Sequence, residues 1–450
     1  MSNSRVKRAL DVETGVATLG KAKIPSKLSV CHFTDDDAKV LIQVTEEQVR
    51  DLGDEPLYQD FELAGPRHHL YFDPTKTKCA IVTCGGLCPG VNDVIRAIVM
   101  EAHHSYNVAS VLGIRFGLEG FIPSYGHDVV ELTPQHVASS HQFGGTILGS
   151  SRGPQPAEDI VDALERMNVN CLFLIGGDGT MRAAGKIADE IASRKLKIAI
   201  IGIPKTIDND INFITKSFGF DTAVEKATEA IQCAHTEAIC AVNGIGMVKL
   251  MGRESGFIAA QATLALKEVN FVLVPETPFE LDGKDGILNE LEARLAARKH
   301  AVIVVAEGAG QHLLEISGDT DASGNPVLGD ISSLLISRIK KHFAGKNIPI
   351  TLKFIDPSYI IRSVPANAND RVYCGFLGQH AVHAAMAGKT GMVISKLQDR
   401  YVYLPLPLVT KDRRKLNINS DYWRAVMEST GQNPIPGIFG PGTYCPTPED

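Results

Sequence analysis

The run Gly202-Ile203-Pro204-Lys205-Thr206-Ile207-Asp208-Asn209-Asp210 places a lysine, a hydroxyl, an amide and two carboxylates directly after an apolar, β-branched stretch. Packing alone has no use for this set at the end of a strand. Phosphoryl transfer does: one carboxylate takes the proton of an attacking hydroxyl, another holds metal or its water, and cations offset the charge on the moving group. The bland alternative, a polar loop that caps its own backbone, accounts for one or two of these groups but not for the whole cluster.

Two further turns belong to the same chemistry. Leu174-Ile175-Gly176-Gly177-Asp178-Gly179-Thr180 sets a carboxylate between glycines at a strand end, where it can reach a magnesium ion on polyphosphate while the glycines leave room for the phosphates. Turns of this kind also occur in other small-molecule and lipid kinases, so this one points to a phosphoryl donor and leaves the acceptor open. Thr83-Cys84-Gly85-Gly86-Leu87-Cys88-Pro89-Gly90, between a strand and a helix, lets backbone N–H groups approach an anion near a helix N-terminus. It lacks the Lys-Ser/Thr ending of a P-loop and the spacing of a dinucleotide fingerprint, and a simple tight turn explains it equally well.

These turns need a scaffold that brings strand ends together. From Lys78 onwards, short β-branched runs alternate with longer amphipathic stretches. Ala80–Thr83, Val108–Ile114, Asn170–Ile175 and Ile198–Ile203 read as strands, with helices over Val91–His103 and Met181–Ser193. The rhythm returns with strands at Gly246–Lys249, Asn270–Val274 and Ala301–Ala306 and a helix over Asp285–Arg298. Such alternation predicts α/β architecture with doubly wound parallel sheets in two similar lobes. The expected divisions are an irregular N-terminal extension (1–77), a first lobe (78–220, rejoined by about 371–410), a second lobe (221–370), and a C-terminal segment (411–450) ending in a Pro/Gly-rich extended tail.

Composition limits the alternatives. The 450 residues carry 45 Lys plus Arg against 52 Asp plus Glu, a net charge of −7, which argues against a nucleic-acid or polybasic membrane binder. Apolar content of 44% with only 6% aromatic residues, and 41 glycines, is the profile of a globular α/β enzyme. No apolar stretch is long enough to span a membrane, so a soluble cytoplasmic protein is expected. The 9 cysteines are scattered and mostly embedded in apolar strings, which predicts reduced thiols; Cys84 and Cys88 have no second Cys/His pair at metal-ligand spacing. The pairs His68-His69 and His103-His104 are read as surface or capping residues.

Taken in order, GGLCPGVNDVIR, TILGSSRG, GGDGT, PKTIDND, FGFDTAVEKA, VKLMGRESGFIA, VAEGAGQ and IDPSYIIRSVPANANDR resemble the 6-phosphofructokinases of the plant-type and trypanosomatid ATP-dependent group, over about Lys78 to Leu408. The resemblance implies two Rossmann-like doubly wound lobes with the active site in the cleft between them, and transfer of the ATP γ-phosphate to the C1 hydroxyl of fructose 6-phosphate. It implies Asp208 as general base, with Arg253 and Lys205 as the other catalytic groups. ATP contacts are expected from Gly86, Ser151, Arg152, Gly177, Asp178, Gly179 and Thr180, and magnesium at Asp178 and Asp210. The sugar phosphate is assigned to Thr206, Asp208, Asp210, Met251, Gly252, Arg253, Glu307, Tyr359, Arg362 and Arg371. A homo-oligomer, dimer or tetramer, also follows from the resemblance, with part of the sugar-phosphate clamp coming from a neighbouring subunit. One departure stands out: counting back from Arg253, Gly244 falls where small bacterial relatives carry a clamp arginine.

Two markers bear on the donor. Pyrophosphate-using relatives carry Asp where this chain has Gly179, a side chain that would crowd and repel a nucleotide phosphate. Lys205 is shared with pyrophosphate users, yet a lysine adds charge that either donor can use. Exclusion is the stronger criterion, so ATP is expected and a pyrophosphate-dependent enzyme is the nearest rival. A catalytically silent nucleotide sensor would have lost Asp208, Asp178 or Arg253, and all are present. A dinucleotide or lipid kinase explains GGDGT but neither PKTIDND nor PSYIIR.

Overall fold

The computed structural model describes residues 13–29, 32–42, 60–315, 318–320 and 324–432. The chain divides into two compact units. The first comprises residues 1–221, 322–324 and 362–413, and the second residues 222–321, 325–361 and 414–450.

In the first unit the apolar runs form a sheet of nine strands. Its centre is five parallel strands in the order Met392–Leu397, Ala199–Pro204, Cys171–Gly176, Lys78–Thr83 and Ser110–Ile114. Cys171–Gly176 and Ala199–Pro204 are buried at every position, which is why they read as continuous apolar runs rather than alternating ones. Helices Ala157–Arg166 and Asp178–Ser193 cover one face through Ile160, Leu164, Met181, Ala184 and Ile187. Helix Ala368–Met386 packs against helix Val91–Met100.

Numbered along the chain, the parallel strands run 2-1-3-4-5 across the sheet, so the order reverses between Lys78–Thr83 and Cys171–Gly176. Connections leave these two strands in opposite directions, which opens a crevice at their carboxyl ends. The Cys84–Gly90 and Gly177–Gly179 turns both lie there.

Antiparallel strands finish this sheet at both edges. Val129–Glu131 pairs with Ser110–Ile114 on one side. On the other, Arg400–Pro405 is followed by Asp60–Leu63 and Lys39–Leu41. The segment before Lys78, expected as an irregular extension, therefore contributes two strands to the main sheet. The buried Arg67 helps to tie it in, donating to Glu62 at 2.8 Å and to the Leu63 carbonyl at 2.7 Å.

The second unit holds a smaller, wholly parallel sheet in the order Phe271–Leu273, His300–Ala306, Gly244–Leu250 and Thr351–Ile355. Helices Ile287–Arg298 and Ile331–Gly345 seal one face with Leu288, Leu291, Leu295, Leu335, Ile339 and Phe343. The two sheets share the α/β plan but differ in size and edge pairing, so one rhythm in the sequence yields two unequal lobes. Helix Val91–Met100 ends three residues short of the expected boundary and opens into a wider turn over Glu101–Ser105. Of the Pro/Gly-rich tail only Gly431 and Gln432 fall among the described residues; Gln432 is buried and accepts from the Val272 N–H at 2.9 Å.

Candidate active site

In the first unit, strands Lys78–Thr83, Cys171–Gly176 and Ala199–Pro204 end side by side, and each continues into one of the three turns. Backbone hydrogen bonds stitch the turns together: Cys84 N–H donates to Ile175 O at 2.9 Å, Lys205 N–H to Gly176 O at 2.9 Å, and Gly85 N–H to Ser151 O at 3.0 Å. Residues from four parts of the sequence thus converge. The side chain of Ser150 adds a bond to Gly85 O at 2.7 Å. A pocket of about 540 Å³ opens here, lined by Gly85, Gly86, Gly145, Ser151, Arg152 and Arg362 among others.

After the Lys205 bridge the segment bends over Ile207–Asp208, yet its burial still alternates residue by residue. Lys205, Ile207 and Asn209 are buried, while Thr206, Asp208 and Asp210 are partly exposed on the other side. Asn209 adopts φ 56°, a left-handed conformation its short polar side chain tolerates, and its Oδ1 accepts from Ser217 N–H at 2.9 Å. The Thr206 hydroxyl donates to Asp210 Oδ1 at 3.0 Å and accepts from the Asp208 N–H at 3.1 Å. Its single proton is used inside the loop. Thr206 shapes the turn that carries both carboxylates.

Lys205 is 6% exposed and its Nζ donates to the Gly86 carbonyl. Burial lowers its pKa, and the nearby Arg152 and Arg362 guanidinium groups push the same way against Cys84 and Cys88. An anion brought beside it would reverse that pressure. Asp210 has a raised pKa, chiefly from burial with a contribution from Asp178; Arg413 and Thr206 oppose the rise.

Asp178 opens helix Asp178–Ser193, where the helix dipole favours a carboxylate. Arg182, one turn further on, pairs with it. Gly179 is exposed, and a Cβ built on it finds nothing within 4 Å. Thr180, expected among the ATP contacts, is instead buried, and its side chain fills the space beside Gly176. It backs the turn that carries Asp178 and Gly179.

The second unit presents its own group at the carboxyl ends of its strands. Glu307 N–H donates to Leu250 O at 2.9 Å and Gly308 N–H to Gly252 O at 3.1 Å, so the turns carrying Met251, Gly252, Arg253 and Glu307 are held together. A Cβ on Gly308 would lie 1.8 Å from the Arg253 carbonyl oxygen, so only glycine permits this approach. Burial raises the pKa of Glu307, while Arg253 and Lys249 counteract the rise. Lys249 pairs with Asp356 at 2.7 Å, and Asp356 accepts from Ser358 N–H at 3.1 Å, which fixes the turn leading to Tyr359.

Tyr359 is 76% exposed on the short helix Ser358–Ser363. Arg362, grouped with Tyr359 in the sequence, lies with the first unit, its Nη1 4.0 Å from a Cβ placed on Gly86. Arg371 is exposed on helix Ala368–Met386, with Nε donating to Ala366 O at 2.8 Å. Gly244 starts the strand Gly244–Leu250, at the end opposite Arg253, and a Cβ there would sit 2.0 Å from Ala238 O. No arginine fits at that position, and none there would reach the carboxyl end of the strand, so Gly244 is a packing residue and says nothing about the clamp.

Sequence reasoning missed Arg182, Arg413 and the Lys249–Asp356 pair. Arg182 had a usable signal, the i, i+4 spacing from Asp178. Arg413 had none: it sits in the basic run Lys411-Asp412-Arg413-Arg414-Lys415, which looks like any solvated surface. Cys84 and Cys88 are free and buried, with burial pushing the Cys84 thiol up to about 12, so both are packing groups rather than nucleophiles. Among the described residues no three His, Cys, Asp or Glu side chains cluster as a metal site. Another pocket, about 490 Å³ and lined by Lys78, Phe121, His127 and Arg166 among others, includes none of the assigned residues.

The phosphofructokinase family pattern matches residues 78–385, which span every turn described above. The chain belongs to the phosphofructokinase family. It is 50% identical over 410 residues to the ATP-dependent 6-phosphofructokinase of Borreliella burgdorferi, covering 89% of this chain and 91% of that one. Over 372 residues it is 47% identical to the ATP-dependent 6-phosphofructokinase of Trypanosoma brucei brucei, covering 82% and 76%. Among solved structures it is similar to the pyrophosphate-dependent phosphofructokinase of Marinobacter aquaeolei, with a TM-score of 0.65 at 19% identity, covering 79% of this chain and 91% of that one. At that identity the likeness carries the fold and leaves the donor to other observations. The identities near one half bring in relatives that use ATP, which favours the ATP reading over its pyrophosphate rival.

Proposed function

We propose that this phosphofructokinase transfers the γ-phosphate of ATP to the C1 hydroxyl of fructose 6-phosphate, giving fructose 1,6-bisphosphate and ADP. The observation that carries the reading is the convergence of three turns at the carboxyl ends of adjacent parallel strands, one bearing Asp208 and Asp210, one Asp178 beside the open Gly179, and one Gly85-Gly86 next to Arg152.

Asp208, on the ordered 205–210 turn, accepts the proton of the attacking hydroxyl, because a carboxylate fixed on a strand end can be aimed at one atom. Lys205 and Arg152 face the donor phosphates, and the first N–H groups of helix Asp178–Ser193 add an anion-binding end. Arg253 offers a guanidinium fork to the transferred group and Glu307 a carboxylate to sugar hydroxyls. Asp178 and Asp210 suit magnesium, which takes oxygen ligands and is often held by one or two carboxylates with substrate phosphates completing its shell. When bound, the cation offsets charge on the phosphoryl oxygens. A cytoplasmic location fits the seven free thiols among the described cysteines, and the homo-oligomer expected from the family resemblance is read by sedimentation.

The base assignment is tested with Asp208→Asn. Turnover of ATP with fructose 6-phosphate should fall by about three orders of magnitude while KM for the sugar phosphate stays within a few-fold. Near-normal kcat in that variant would remove Asp208 from the role.

A further inference from the structure

Arg413 lies outside every motif that suggested chemistry, yet its guanidinium spans two assigned carboxylates. Nη2 is 3.6 Å from Asp178 Oδ2 and Nη1 is 3.9 Å from Asp210 Oδ2. The residue is tied down by its backbone as well, since Arg413 forms an isolated antiparallel bridge with Ile211, the neighbour of Asp210. The helix before it, Leu406–Thr410, packs against helix Asp178–Ser193, which carries Asp178 at its first position. The Arg413 side chain is only 23% exposed, and those of Asp178 and Asp210 are buried more deeply still. Three separate constraints hold one cation across a like-charged pair.

We infer that Arg413 is a positioning residue of the donor site: its forked cation keeps Asp178 and Asp210 apart and in register, and it shares them with the divalent cation that accompanies the polyphosphate. The inference rests on the proposed function, because it takes these two aspartates as the carboxylates on the metal side. Its physical content is a balance. A fixed positive charge weakens the attraction of a bare dication for the pair, since like charges repel at this range. The same charge strengthens the attraction for a metal–nucleotide complex, which carries net negative charge and whose phosphate oxygens a guanidinium fork can also meet. A salt bridge with only a structural role would not produce these opposite effects. Arg182 cannot substitute, as it pairs with Asp178 and not with Asp210.

The test compares wild type, Arg413→Gln and Arg413→Lys as full-length proteins. Mn2+ binding is titrated by electron paramagnetic resonance without nucleotide, and steady-state kinetics are measured with metal–ATP and fructose 6-phosphate. In Arg413→Gln, nucleotide-free Mn2+ binding tightens at least threefold, KM for metal–ATP rises at least tenfold, and kcat changes much less. Arg413→Lys restores the Mn2+ affinity to near wild type, because the charge returns, and recovers the KM only in part, because the fork does not. Thermal melts identify an unfolded variant, in which case the lysine variant alone decides through its KM-against-kcat split. Unchanged Mn2+ affinity and KM in a folded glutamine variant, with a wild type that turns over ATP, overturn the role of Arg413. A wild type with no ATP turnover overturns the proposed function itself, and the inference with it.

Discussion

Replacing Gly179 by Asp separates what this residue does for the fold from what it does for the donor. The backbone at Gly179 is in the first turn of helix Asp178–Ser193, and an added Cβ meets nothing within 4 Å. A carboxylate in a helix's first turn stabilises by about 0.3–1 kcal/mol through the dipole, offset in part here by the adjacent Asp178. The melting temperature should therefore move by no more than about 3 °C. Catalysis should respond very differently. A unit negative charge about 5 Å from a phosphate charge costs about 3 kcal/mol at an effective dielectric constant of about 20, or roughly two orders of magnitude in kcat/KM for each unit of phosphate charge it faces. The assay is kcat/KM for ATP from coupled ADP release, run on wild type, Gly179→Ala and Gly179→Asp. The alanine variant should stay within about fivefold of wild type, since its methyl enters open space. The aspartate variant should lose at least about a hundredfold. Retention of ATP use within threefold by a folded Gly179→Asp protein would refute donor exclusion at this position. A loss of equal size in both variants would show that bulk rather than charge decides.

Two further outcomes follow from the same geometry. Lys205→Met removes a buried cation and keeps its volume, so thermal stability should hold to within about 2 °C while kcat falls about a hundredfold for want of charge beside the donor phosphates. A stability loss without a rate loss would make Lys205 a structural residue. Asp330 caps helix Ile331–Gly345, accepting from the N–H groups of Ser332 and Ser333; partial burial works against its ionised form, yet hydrogen bonds from both serines bring its pKa down to about 2. A carboxyl depressed in the folded state contributes stability that is complete above its unfolded pKa and is lost as pH falls from about 4 to about 2. Because the group is exposed, the cap is expected to contribute about 1 kcal/mol rather than the full shift. Asp330→Ala should lower the melting temperature at pH 7, and the difference from wild type should vanish towards pH 2.

How much of this was legible in the sequence depended on whether a residue type was out of place. Asp208, Asp210 and Asp178 were readable because carboxylates directly after buried strands have no packing role there, and a parallel sheet assembles strand ends whatever their distance in sequence. Thr206 and Thr180 illustrate the limit: the sequence shows a hydroxyl near a carboxylate but neither the bond from Thr206 to Asp210 nor the packing of Thr180 against Gly176. Arg413 was hidden by a surface-like basic run, and Lys249–Asp356 by the separation of its partners, whose strands meet only in the sheet. Strands Lys39–Leu41 and Asp60–Leu63 escaped because they are short strands at the margin of the sheet with mixed burial, which lack both a long apolar run and a clean alternation. Gly244 shows why counting residues along one strand misleads: nine residues back from Arg253 is the amino end of the strand, far from the carboxyl-end turns.

The most direct test of the account is a two-donor assay. Purified wild-type protein with fructose 6-phosphate and magnesium is given ATP or pyrophosphate in parallel, and fructose 1,6-bisphosphate is quantified. ATP should support turnover, with pyrophosphate slower by at least about a hundredfold, since the open Gly179 admits a nucleotide phosphate. Turnover with pyrophosphate and none with ATP would contradict the central claim.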